Sequence, residues 1–267
     1  MRTSALTCLM LFLAAGPAGA ASSLGIIPPQ GGSTIAYDIN AKGQVAAVIE
    51  YADRRQRGVL IEQGRITELA LPGGGASDTR AVNDNGVVVG SAEQPQGRWH
   101  AYTWDRTNGM RLAGTLGGAS SYGTAINRAG QVAGYADVAG DGYHAFVFDG
   151  QNMTDLGTLG GTISNATGIN NAGQVAGTAA LRDGTRRAFI WDRSYGMRDL
   201  GTLGGPASSA AAINDAGMVV GAAETAARKW HAFLHDGKRM IDLGALLPQG
   251  ESFATGINNA GQVVGTV

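Results

Sequence analysis

The 267-residue sequence carries 20 Lys and Arg against 21 Asp and Glu, a formal charge of −1, so it offers no basic stripe for nucleic acid or an anionic membrane surface. Its 43 Gly make it turn-rich, while 44% hydrophobic residues supply a core and exclude a disordered chain. The single cysteine, Cys8, falls in the first twenty residues, so the remainder has no disulfide, Cys-ligated metal or thiol nucleophile.

Met1 to Ala20 has one positive charge at Arg2, an apolar run from Ala5 to Ala15 and the small residues Ala18-Gly19-Ala20, the order of a secretory signal peptide. Gly16-Pro17 interrupts the run well short of the ~20 apolar residues of a membrane span. Cleavage after Ala20 is expected, leaving residues 21–267 as one exported repeat domain without a membrane span, periplasmic or extracellular.

From there the sequence keeps a strict period. Asn40, Asn83, Asn127, Asn170, Asn214 and Asn258 recur at intervals of 43 or 44 residues, each followed three positions later by Gly and two further on by Val. The residue before each Asn is Ile or Val, which favours a strand, and the one before that is Ala or Gly in every copy except the first, Asp38. Asn-x-x-Gly reads as a type I turn closed by a Gly bulge, with the Asn side chain bonding the backbone two residues on. Gln174 to Thr178 then forms the antiparallel partner of the strand before the turn.

A third strand starts seventeen residues after each of the first five Asn residues, at Arg57, His100, His144, Arg187 and His231. Aromatic residues alternate along it, as in Phe146 and Phe148 or Phe189 and Trp191, and both faces are apolar, as in a sheet covered on each side. The acid at its end (Glu62, Asp105, Asp149, Asp192 or Asp236) is expected to cap a turn. A short fourth strand, Met153 to Gly157 in one copy, runs into the link Thr158-Leu159-Gly160-Gly161.

Four short antiparallel strands per 43 or 44 residues predict an all-β protein, a β-propeller of four-stranded blades. About six blades are expected, five full repeats and a sixth represented by Ser252 to Val267 alone. Leu24 to Gly31 resembles Leu243 to Gly250 and is expected to close the ring as a donated fourth strand. The sixth repeat has no third strand, which leaves an incomplete blade, an open ring or a sequence truncated at its C-terminus.

The linked motifs His144-Ala145-Phe146, Asp155 to Gly161 and Ile169 to Gly177 resemble the HAF repeat family of bacterial proteins. The resemblance covers nearly the whole chain beyond the leader. It implies an exported, propeller-like repeat protein of no established biochemical activity and supplies no catalytic residues. Arg57-Gly58-Val59, Arg187-Ala188-Phe189 and the link Leu71-Pro72-Gly73-Gly74 depart from the pattern.

Candidate chemistry is sparse. His100, His144 and His231 suggest a three-ligand metal site, but Arg57 and Arg187 hold equivalent positions and cannot ligate; the shared property is hydrogen-bond donation, so a bond to a neighbouring carbonyl is expected. No metal, cofactor or catalytic residue is assigned. The residues that break the repeat lie between the second and third strands, where Trp99, Tyr143 and Trp230 precede the His and Arg98 or Lys229 precedes a Trp. Aromatic rings beside a cation on variable loops suit a polysaccharide or a surface protein. A non-enzymatic binding or cell-surface module is therefore the first expectation. A glycan-active hydrolase or lyase using an acid such as Glu93 or Glu224 is the alternative, and a structural envelope or matrix repeat the third.

Overall fold

The computed structural model describes residues 32–71, 75–246 and 250–267. The leader expected at Met1 to Ala20, the closing strand expected at Leu24 to Gly31 and most of the Leu71 to Gly74 link lie outside the described residues. The first blade comprises β1 (Ser33–Ile39), β2 (Val45–Glu50), β3 (Gln56–Glu62) and β4 (Arg65–Leu69). The second contains β5 (Ser77–Val82), β6 (Val88–Glu93), β7 (Trp99–Asp105) and β8 (Gly109–Leu112). Blade three is built from β9 (Gly117–Ile126), β10 (Val132–Val138), β11 (Tyr143–Phe148) and β12 (Met153–Asp155). The fourth holds β13 (Gly160–Ile169), β14 (Val175–Leu181), β15 (Arg186–Asp192) and β16 (Gly196–Asp199). Blade five has β17 (Gly204–Ile213), β18 (Val219–Thr225), β19 (Trp230–His235) and β20 (Met240–Asp242). A sixth sheet pairs β21 (Phe253–Ile257) with β22 (Val263–Thr266). Within each blade the strands pair antiparallel in chain order. Among the described residues no helix is long and apolar enough to cross a membrane.

The turns have the expected form. Gly173 N–H donates to the Asn170 carbonyl at 3.0 Å, Asn170 Oδ1 accepts from Ala172 and Gln174, and Gly173 takes φ +78°, where glycine pays no steric penalty. Blades join through two repeated bonds. Nδ2 of Asn40, Asn83, Asn127, Asn170 and Asn214 donates to the carbonyl of the next Asn in the series at 2.9 to 3.1 Å. Six residues before the Asn of each blade from the second onward, Oγ of Ser77, Ser121, Ser164, Ser208 and Ser252 accepts the N–H of Gly58, Ala101, Ala145, Ala188 and Ala232 in the preceding blade's third strand, at 2.8 to 3.0 Å.

Apolar clusters fill the space between blades. Ala133, Ala145 and Val147 of the third blade meet Ile169, Val175 and Phe189 of the fourth, and Ala176, Ala188 and Ile190 of the fourth meet Val219, Ala223 and Phe233 of the fifth. That is why both faces of each sheet are apolar. Each fully buried Phe contributes about 1.5–3 kcal/mol, and Phe146, Phe189 and Phe233 hold equivalent places, with Tyr102 theirs in the second blade.

Two details differ from expectation or add to it. The basic residue of the third strand finds a carboxylate rather than a carbonyl in three blades: His144 Nδ1 lies 2.9 Å from Asp155, His231 Nδ1 3.0 Å from Asp242 and Arg187 3.9 Å from Asp199. Arg57 does bond a carbonyl, that of Gly75, at 2.7 Å. In the second blade Leu112 takes the register place of the acid, opposite Tyr102, so His100 has no such carboxylate. The acids Asp105, Asp149, Asp192 and Asp236 cap turns as expected, each accepting two main-chain N–H groups. Glu62 instead reaches across to Arg106 of the next blade.

Candidate functional site

Every first strand carries a bulge shortly before its terminal Ile or Val, where the register slips by one residue. A bulge re-aims one side chain out of the alternation. In the third and fourth blades that residue is Thr124 or Thr167, whose hydroxyl bonds the carbonyl of Ala166 or Ala210 in the next blade. The first two blades place Tyr37 and Arg80 there instead, and the Arg80 guanidinium lies 4.5 Å from the Tyr37 ring centroid.

Arg80 is held on its other side by Asp78, with Nε and an NH2 nitrogen each 3.0 Å from Oδ2. Asp78 is 6% exposed, and its Oδ1 accepts the Ser91 N–H at 2.6 Å. Burial pushes the Asp78 carboxyl above its ordinary range, against the opposing pull of Arg80 and the Ser91 N–H.

Trp99 and Tyr143 stand at the first positions of β7 and β11, paired across the sheet with Glu93 and Asp137. They are strand residues, half-buried, rather than loop residues. The Trp99 ring stacks on Tyr122 of the third blade, 6.4 Å between centroids and 22° between planes. Tyr122 stacks on Tyr135, its register partner in β10, at 4.9 Å and 24°, and Tyr135 meets Tyr143 at 5.4 Å and 55°. Four rings thus run without a break across blades two and three. The Tyr135 phenol is pushed up chiefly by burial and then by Tyr122, while Arg80 opposes the rise.

A cleft of about 470 Å³ is lined by Arg98, Gly117, Gly118, Asp137, Gly140 and Gly142; Arg98 and Gly142 directly precede Trp99 and Tyr143 in the chain, but the four rings themselves do not line it. Arg98 is exposed on its wall, and Asp137 is fixed by accepting the Ser120 N–H at 3.0 Å. Gly142, at φ +112°, packs so closely on Thr162 that a Cβ would stand 2.0 Å from its carbonyl oxygen.

Of the residues singled out in the sequence, Trp99 and Tyr143 form the two ends of one row, joined through Tyr122 and Tyr135, and Arg98 lines the cleft. Trp230 does not join them. It repeats the Trp99 contact at the other end of the array, stacking on Phe253 at 6.4 Å, with exposed Lys229 beside it. Sequence reasoning missed Tyr122, Tyr135 and the Arg80–Asp78 pair. Their signal is a break in the repeat, since Asn165 and Ser209 stand where Tyr122 does, and Thr178 and Ala222 where Tyr135 does. Of the two acids named for an enzyme, Glu93 accepts the Ala76 N–H at 2.9 Å, and Glu224 lies 3.5 Å from Arg228.

No family model and no curated protein matches the sequence. Solved structures do. TolB from Acinetobacter baumannii superposes with a TM-score of 0.55 at 16% identity, over 82% of this chain and 56% of that one. A putative TolB from Agrobacterium tumefaciens gives 0.57 at 12% identity, over 79% and 80% of the two chains. A puromycin-hydrolyzing peptidase from Mycobacterium tuberculosis gives 0.52 at 14%, over 82% of this chain and 36% of its own. At such identities the likeness is one of fold. With five four-stranded antiparallel blades and a two-stranded sixth sheet among the described residues, the chain is an all-β protein of the β-propeller class.

Proposed function

We propose that this protein is an exported, non-enzymatic β-propeller of the HAF repeat type that binds carbohydrate along the ring row of its second and third blades. The observation that carries the reading is the unbroken row Trp99–Tyr122–Tyr135–Tyr143, whose end residues follow Arg98 and Gly142 of a polar cleft in the chain. Pyranose rings present C–H faces that pack on aromatic rings and hydroxyls that need fixed polar partners. Arg98 and Asp137 supply both a donor and an acceptor at the cleft wall. The row also crosses a blade junction, so its spacing is held by the ladder bonds of a rigid repeat rather than by a loop. Export rests on the leader-like order of Met1 to Ala20.

The glycan-active enzyme reading draws no support from Glu93, whose carboxylate is engaged in holding the edge of its own blade. The test is isothermal titration against a panel of neutral and acidic oligosaccharides. A ligand bound by the wild type should lose at least tenfold in affinity in Tyr135→Ala, with Trp230→Ala unchanged. Equal loss in both variants, or none in either, contradicts the assignment.

A further inference from the structure

The third blade puts two tyrosines at a pair of places where the fourth holds Asn165 and Thr178 and the second Asp78 and Ser91. Tyr122 and Tyr135 are register partners across β9 and β10, with ring centroids 4.9 Å apart and planes 24° from parallel. Offset-stacked rings at that spacing touch through ring carbons, at the ~3.5–4.0 Å of van der Waals contact. The backbones hold them together: a Cβ at Gly134 would stand 2.0 Å from the Tyr122 carbonyl oxygen. A register shift lies on each side of the Gly134 to Ala136 segment, so Tyr135 is not locked into an unbroken ladder.

The remaining tyrosines are placed differently. Tyr102 is fully buried and its hydroxyl bonds Thr79 and the Asp78 carbonyl. Tyr51 bonds Glu68, Tyr37 carries the Arg80 guanidinium on its face, and Tyr195 is 77% exposed with Arg198 over its ring. Tyr143 meets Tyr135 at a tilt of 55°. Tyr122 and Tyr135 are half-buried, which admits a small oxidant and keeps out the ring of a second protein molecule. The single cysteine, Cys8, leaves the described residues without a disulfide to join one strand to another.

We infer that Tyr122 and Tyr135 form a site of oxidative modification, where the two rings couple as a dityrosine that staples β9 to β10. The oxidant is a peroxide acting in one-electron steps. Each phenol gives up one electron and its hydroxyl proton. The two phenoxyl radicals then pair their electrons in a carbon–carbon bond between positions ortho to the oxygens. The hydrogen on each newly bonded carbon moves to the oxygen of its own ring, which restores both phenols. The chain loses two electrons and two protons in all, and these convert hydrogen peroxide to two water molecules. This inference is independent of the carbohydrate reading, because it concerns how the rings react with each other and not what they bind.

The test illuminates the full chain with ruthenium tris-bipyridine and persulfate, a peroxide that takes the same two electrons and leaves as two sulfate ions. Dityrosine fluorescence should appear in the monomer isolated by gel filtration. Mass spectrometry of its digest should find the Tyr122 and Tyr135 peptides joined, with the loss of two hydrogen atoms. Tyr122→Phe and Tyr135→Phe each keep a ring in place and should each abolish the monomer fluorescence, whereas Tyr143→Phe and Tyr195→Phe should retain it. The wild-type peptide map decides the joined residues by itself, so the test stands even where a variant folds poorly. A link to Tyr143 or any other tyrosine, fluorescence confined to covalent dimers, or a monomer without fluorescence overturns the inference.

Discussion

Asn170 and Asn214, 44 residues apart, are joined by a hydrogen bond from Nδ2 of the first to the carbonyl of the second, 3.1 Å long. The same Asn170 side chain accepts from Ala172 and Gln174 at 3.1 and 2.9 Å, so one residue shapes its own turn and ties two blades. Repetition of that bond sets the constant relation between neighbouring blades, on which the aromatic row depends.

Replacing Asn170, 3% exposed, by Ala leaves two main-chain donors without their acceptor and removes one of the two bonds to the Asn214 carbonyl, which keeps the Gly217 N–H. At ~1–3 kcal/mol for each buried group left unmade, the loss should reach about 3 kcal/mol. Asn258→Ala, at an exposed turn, should cost under half as much. Urea unfolding of both variants measures the difference, and equal losses would show that the ladder bond contributes nothing beyond the turn.

Gly177 illustrates a second constraint. A Cβ there would stand 2.1 Å from the Asn165 carbonyl oxygen and 2.7 Å from the Phe189 ring. Gly177→Ala should destabilise by about 1–3 kcal/mol, the usual cost of overpacking. A Phe189→Leu background, which frees the ring's space, should recover part of that loss in thermal melts.

Acid should weaken the fold through its turns. Asn108, Asn152, Asn171 and Arg239 are the first partners holding Asp105, Asp149, Asp215 and Asp236, respectively, below the ordinary carboxyl value of 3.8. Their stabilisation is present above the unfolded value and lost as pH falls through the lower folded values. Asp38 and Asp78, raised by burial, act oppositely: their ionisation disfavours the folded state, so their penalty is relieved as pH falls. The melting temperature should be flat above about pH 6 and fall below about pH 4. A variant with Asn at 105, 149 and 236 should fall less steeply on acidification. An identical slope removes the turn carboxylates from the explanation.

Trp99 and Trp230 make the same stacking contact, yet only Trp99 continues into Tyr122, Tyr135 and Tyr143. Trp99→Ala should therefore abolish oligosaccharide binding, while Trp230→Ala leaves it intact. Both rings are half-buried, so each substitution should cost less than the ~3–5 kcal/mol of a fully buried aromatic. Parallel binding and melting curves separate the two effects.

Much of the fold was legible because the period places Asn, Gly and Val at fixed steps, and each has a local physical task in turn or strand. The carboxylate partners of His144 and His231 were not. Asp155 and Asp242 become neighbours only through the register of the third and fourth strands. The site was half legible. Trp99 and Tyr143 stood out where the repeat breaks before each His, but Tyr122 and Tyr135 sit inside strands that read as scaffold, and their pairing across β9 and β10 creates the row. Arg80 escaped notice because a bulge, which strict alternation does not foresee, turns it onto Tyr37.

The most direct test of the carbohydrate reading is hydroxyl-radical footprinting by mass spectrometry, with and without a bound oligosaccharide. The account predicts protection of Trp99, Tyr122, Tyr135 and Tyr143, with Trp230 and the exposed Tyr195 unchanged. Protection at Trp230 or elsewhere, with those four rings oxidised as in the free protein, would contradict it.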